Sequence, residues 1–232
     1  MFWLSRLLPS AVTTADLFAK CATAVAKRYS LALDAGEPLV AKTSWARFVP
    51  TDMPRPEPFA GLVPMTADLG GEVHEVPYDP AVLTLPDHER RQAVLDWLHG
   101  NLLGLAAALY WHTGPLDAAY EACLRDGCRF QQQGTPKANP NRRYRAHVEF
   151  EIDGNGDGWS WAVITDRAGT VVATSDRRDS PASITSSGRI RRSLHWQGAE
   201  ATWIPWIEVN DLAPKGYEWW LGHVERLPAP TS

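Results

Sequence analysis

With 232 residues, 44% of them hydrophobic and 22% charged, the chain is long enough for a substantial core and too apolar to be disordered along its length. A net charge of −4 gives no bulk electrostatic argument for nucleic-acid binding. No stretch reaches the roughly 18 uncharged apolar residues of a membrane span, and three cysteines are too few, and odd in number, for a disulfide framework.

Residues 2–8 are apolar, but Arg6 interrupts them and no charged start precedes them, so they do not read as a signal peptide. They are expected to form a helix end docked on the core, in a cytoplasmic protein. A first helix is predicted over residues 14–29, capped by Thr13 or Thr14, with Leu17, Cys21, Val25 and Tyr29 on one face. Nine prolines between Pro38 and Pro86 then forbid long helices and leave short extended pieces at 39–49 and 72–76. After Pro86, with Asp87 as the expected cap, Leu95, Leu98, Leu102, Leu105 and Leu109 define the apolar stripe of a second helix. Arg90 and Arg91 are placed on its wet side, and Gly100 and Gly104 are spaced for close approach of another backbone. Gly114-Pro115 opens a third helix with Leu116, Ala119, Tyr120 and Cys123 inward, ending at Gly127. Cys21, Cys123 and Cys128 are expected to be free, buried thiols.

Residues 131–142, rich in Gln, Pro, Asn and Gly, are predicted to be a linker between a mainly helical region, 1–130, and an antiparallel β domain, 143–232. There the apolar period changes from 3.6 to 2. Tyr144, Ala146, Val148, Phe150 and Ile152 alternate with charged residues. The loop Asp153–Gly158, a strand from Trp159 to Thr165, the turn Asp166–Gly169 and a strand from Thr170 to Ser175 complete a three-stranded meander. A polar stretch with room for one short helix, 176–188, precedes a fourth strand through Ile190, Arg192, Leu194 and Trp196. Two more are expected at 202–208 and 217–224, the former interrupted by Pro205. The fold class is therefore α+β: a Pro-rich helical N-terminal half followed by an antiparallel sheet of five to seven strands.

Phe150, the pair Trp159 and Trp161, the turn Ala168-Gly169 and the strand Val172-Ala173-Thr174-Ser175 resemble the YegP-like family of small bacterial proteins of unknown function. The resemblance covers residues 148–185, with Ala168 in place of the family's usual Asn. It implies a ββ-meander and no activity.

Candidate sites are few. Asp153, Asn155 and Asp157 have the oxygen spacing of a calcium loop, but the position of the bidentate Glu is Ile164 and the flanks are strands rather than helices; a Gly-Asp-Asn hairpin loop accounts for the same residues. None of the seven histidines sits in a zinc-like pair, although His88 and His99 can share a helix face, and His-Glu-x-x-His, Gly-x-Ser-x-Gly and phosphate loops are absent. Glu149 and Glu151 share one strand face, which is expected to be solvated and unsuited to acid–base work. Basic residues cluster at Arg143 and Arg145, at Arg177 and Arg178, and at Arg189 and Arg191, and could form one patch in space. Seven of the eleven tryptophans follow residue 158; Trp159 and Trp161 are expected to face the core.

Charge divides unevenly. Residues 1–128 carry 10 Lys and Arg against 15 Asp and Glu, whereas residues 129–192 carry 11 against 7. With no catalytic set assembled and no cofactor implied, these features point to a non-catalytic cytoplasmic protein that recognises another protein, in an immunity-like or adaptor role in a bacterium, through Trp and Arg near the β-domain surface. Nucleic-acid binding by the Arg clusters is the alternative. An enzyme using a His and distant carboxylates is the third class.

Overall fold

The computed structural model describes residues 12–41, 45–53, 57–59, 71–209 and 218–230. The apolar segment 2–8 lies outside the described residues. The chain forms two compact units that divide after Arg129.

The first unit begins with helix α1 (Thr14–Ala35). The Thr13 hydroxyl accepts from the Asp16 backbone N–H, and the Asp16 carboxylate accepts from the Thr13 N–H, so two orphan donors of the first turn are satisfied. Phe18, Cys21, Val25 and Tyr29 are buried, whereas Leu17, expected inward, is 44% exposed. Strands β1 (Trp45–Thr51) and β2 (Gly71–Pro77) then pair in parallel, Trp45 opposite Gly71 and Thr51 opposite Pro77. The N-terminal part is therefore mixed rather than a helical half; where prolines exclude helix, the backbone satisfies itself in a ladder. The Trp45 indole lies where any side chain at position 71 would stand, which requires glycine there.

A 3-10 turn (Pro80–Thr84), capped by the Asp79 carboxylate, leads into helix α2 (Asp87–Leu109). Pro86, not Asp87, occupies the N-cap. The Asp87 carboxylate instead pairs with Arg90 and Arg91. Both arginine side chains lie close to the protein, 15% and 11% exposed, rather than on a wet face. Arg91 Nε donates to the Gly127 carbonyl at 3.0 Å and so closes the end of helix α3 (Gly114–Arg125). Leu95 is fully buried, and with Phe18, Val25, Tyr29, Val94, Ala106, Leu116 and Cys123 it forms the core of the three-helix packing. At Gly104 it is the Phe59 ring, not a second backbone, that occupies the space of the missing side chain.

The second unit is built on a six-stranded sheet. Strands β3 (Phe130–Gln133), β5 (Tyr144–Ile152), β6 (Gly158–Asp166) and β7 (Val171–Thr174) lie in that order, with β4 (Lys137–Ala138) on β5 and β8 (Arg178–Ser180) on β6. All of these pairings are antiparallel. The β5–β6–β7 meander matches the sequence reading. Residues 131–142 do not form a linker, since β3 and β4 pair with β5. The predicted fourth strand also differs. Residues Ile184–Arg192 form helix α4, capped by Ser183, and only His195–Gln197 is strand, β9. Ile190 and Leu194, both fully buried, are four apart, a spacing that fits the helical and the extended period alike. Arg189, Arg191 and Arg192 fall in the last turn of α4, where the helix dipole favours cations.

Strands β10 (Glu200–Trp203), β11 (Ile207–Val209), β12 (Glu218–Leu221) and β13 (Glu225–Pro228) complete the unit. β10 lies between β9 and β13, and β11 pairs with β12. The break at Pro205 separates β10 from β11, and its carbonyl accepts a 2.7 Å hydrogen bond from Ser180 Oγ. The core of this unit lies on one face of the large sheet, where Ala146, Val148, Phe150, Ile152, Ala162 and Ile164 are buried. Helix α4 packs on β5 and β11, and β10 approaches β6.

Two backbone positions test this account. Tyr110 caps α2 at φ 57° with a 95% exposed side chain, so it bears the cost of the left-handed region with no contact to offset it. Tyr110→Gly is expected to raise stability by about 0.5–1 kcal/mol in urea unfolding. A side chain at Gly158 would collide with the Ser180 carbonyl. Gly158→Ala should lower stability by about 2 kcal/mol by forcing β6 and β8 apart.

Candidate functional site

The β5–β6 hairpin decides which side chains share a face. The short loop that joins Ile152 to Gly158 puts Glu151 opposite Trp159 and Glu149 opposite Trp161. Ser160, Ala162 and Ile164 consequently pair with Phe150, Val148 and Ala146 on the buried face. Trp159 and Trp161, expected in the core, stand on the other face and are half-buried. The alternation holds but its phase is reversed: small residues point inward because Phe150 and its neighbours already fill the interior.

Three rows of side chains cross this outer face. Gln131, Glu151, Trp159 and Asp179 are register neighbours on β3, β5, β6 and β8. Gln133, Glu149 and Trp161 form the second row, and His147, Val163 and Thr174 the third. Arg177, just before β8, lies over the indoles, its guanidinium carbon 4.6 Å from the Trp161 ring centre and 5.9 Å from that of Trp159. It also pairs with the Glu151 carboxylate. A guanidinium over an indole face is attracted by the ring quadrupole, and the ion pair adds to it. Glu149 accepts from Gln131 Nε2 at 2.8 Å and hydrogen bonds to His147 Nε2 at 3.2 Å. The two carboxylates are therefore only 19% and 21% exposed, not the solvated pair expected from the alternation, and each already has an internal partner.

The Asp153–Gly158 loop serves this face. Asp153 Oδ1 accepts from the backbone N–H groups of Asn155 and Asp157, and Oδ2 accepts from the Trp159 indole N–H at 2.9 Å. Gly156 takes φ 80° at the turn. Asp153 thus spends both oxygens on the hairpin and on orienting Trp159. Among the described residues there is no group of three His, Cys, Asp or Glu side chains that could hold a metal ion.

The arginines do not form one patch. Arg143 and Arg145 are exposed at the start of β5, on the edge of the outer face, and Arg177 covers the indoles. Arg178 Nε pairs with Glu225 at 3.1 Å, toward β13. Arg189 and Arg191 belong to α4, on the opposite side of the sheet. Arg191 donates to the Gln133 carbonyl at 2.9 Å, and burial, followed by the charge of Arg192, lowers its pKa.

A second titratable cluster lies in the first unit. His99 on α2 meets the Tyr29 hydroxyl at 2.9 Å through Nδ1 and Asp117 at 3.4 Å through Nε2, and stacks on Tyr120 with ring centres 4.4 Å apart. The Tyr29 hydroxyl also reaches the Leu116 carbonyl, 2.8 Å away, and the Tyr120 hydroxyl donates to Asp96. One imidazole thereby ties three helices together. His88, eleven residues earlier on the same helix, faces Glu89 at 3.7 Å, with 76% of its side chain exposed. The three cysteines are free and buried. Burial, and then the neighbouring Cys123, pushes the Cys128 thiol up to about 11, far from the range of a nucleophile.

No family model, curated protein or solved structure matches the chain.

Burial favours the neutral His99 ring more strongly than Asp117 and Asp96 favour the charged one, so its folded pKa lies below the ordinary 6.5. As pH falls, the unfolded chain takes up this proton first. The stability held above pH 6.5 is lost as pH falls through the folded value. His99→Gln is expected to flatten this decline in urea unfolding series run between about pH 7 and pH 5.

Proposed function

We propose that this protein is a non-catalytic binding protein that recognises another protein through the outer face of β5 and β6. The observation that carries the proposal is the pair of half-buried indoles, Trp159 and Trp161, set among Glu149, Glu151 and Asp179 and covered by Arg177. Indoles held in place by a sheet present a large area at little entropic cost, and Trp is enriched where binding energy concentrates. The three carboxylates outnumber the one guanidinium on these rows, which favours a partner segment bearing Lys or Arg. Arg177 is an internal example of what the face holds: a planar cation stacked on Trp161 and paired with Glu151.

Other features agree with this reading. Glu149 and Glu151 are each engaged by a neighbour, an arrangement suited to recognition more than to proton transfer. The arginines expected to attract nucleic acid are spread over both sides of the sheet and partly bonded internally. Three buried free thiols suit a reducing compartment, and no helix among the described residues is long and apolar enough to cross a membrane. Within this proposal the protein works in the bacterial cytoplasm as an immunity-like or adaptor protein. The YegP-like resemblance of residues 148–185 contributes a meander and no activity.

The test is affinity purification from the native host with the wild-type chain and with Trp161→Ala. A stoichiometric protein partner is expected, with Trp161→Ala weakening its Kd about thirtyfold, equivalent to about 2 kcal/mol. Retention of that partner by Trp161→Ala at unchanged affinity would refute the assignment of this face. Co-elution of nucleic acid with steep salt dependence would replace the whole reading.

A further inference from the structure

Large apolar side chains of the three-helix core are sealed: Phe18, Leu95 and Leu116 have no exposed surface. One corner of the same unit behaves differently. Where α1, the segment before β1, β1 itself and α2 meet, Leu33, Phe48, Leu98, Leu102 and Trp111 are only half-buried and Trp45 is 45% exposed. They surround a cavity of about 310 Å³. That is the volume of about ten water molecules, at the lower end of the range of small-molecule sites. Walls of this kind give water few hydrogen bonds, so a ligand with an apolar body gains from displacing it.

Charge and shape narrow the ligand further. Two indoles and a phenyl ring on the walls favour a flat aromatic guest, in edge or offset stacks. Among the described lining residues, Asp34 is the only side chain charged at neutral pH. The Tyr29 hydroxyl is taken up by the Leu116 carbonyl and His99, and the Ser30 hydroxyl donates to the Ala26 carbonyl. A carboxylate at the rim and aromatic faces within both attract a cation, and both disfavour an anion. We propose that this cavity binds a small aromatic amine, its ring between Trp45, Phe48 and Trp111 and its ammonium group toward Asp34. The site lies wholly in residues 4–129, so it stands or falls independently of the β5–β6 face.

The experiment compares two probes with the same ring, naphthylmethylamine and naphthylacetate, titrated into the full chain and followed by tryptophan fluorescence and calorimetry. The amine is expected to bind with a Kd of about 10–100 µM, and the acid at least about tenfold more weakly. Asp34→Asn should close that gap while leaving ring binding intact. Ala46→Phe, which fills the cavity, should abolish binding of both probes with an unchanged thermal transition. Ser30→Trp, at an exposed helix position on the rim, provides the same block should Ala46→Phe fail to fold. No saturable binding of the amine up to about 1 mM, equal affinity for the two probes, or affinity unchanged in a folded cavity-blocking variant would each overturn the proposal.

Discussion

The register between β5 and β6 is the constraint on which the second unit depends. A slip of one residue would carry Ser160, Ala162 and Ile164 to the outside and bring two indoles into a space already filled by Val148, Phe150 and Ile152. The hairpin prevents this by local chemistry. Asp153 accepts two backbone N–H groups of its own loop and a third hydrogen bond from Trp159, so the turn and the first side chain of the outer face are set together. Ser180 then anchors the far side: its hydroxyl donates to the Pro205 carbonyl and lies 2.9 Å from Ser160 Oγ, both ends buried. The face that carries the proposed function therefore follows from a turn and a buried pair of hydroxyls.

Much of the architecture could be read from the amino acids. Three helices, the β5–β6–β7 meander and the free thiols follow from period, punctuation and count. What escaped has identifiable causes. Ile190 and Leu194, four residues apart, satisfy both periods, and it is the Ser183 cap on the Ser186 N–H and the basic last turn that favour the helix. The Gln-rich stretch 131–133 gives no apolar alternation, yet it pairs with β5 because an edge strand needs only backbone partners. Arg90 and Arg91 looked like solvent-facing charges, but long aliphatic stems let a guanidinium lie along the protein surface and reach a carbonyl.

The outer face itself could have been found. Glu149 and Glu151 share parity, and closing a short loop between Ile152 and Gly158 sets them against Trp161 and Trp159. Hydrophobicity argued for the opposite phase, since indoles normally seek the interior. The contributions of Arg177 and Asp179 come from β8 and the residue before it, beyond the reach of a hairpin argument. Nor does spacing foretell the His99 cluster, because Tyr29, His99 and Asp117 come from three helices and meet only through packing.

All three cysteines lie before residue 129 and are buried there. Modification by a thiol reagent therefore requires that the first unit open; unfolding confined to residues 130–232 leaves the reagent nothing to react with. The chain carries a built-in chemical clock for one of its two units. Labelling kinetics, set beside tryptophan emission, which is weighted toward the β unit, separate two opening events that a single melting curve would merge.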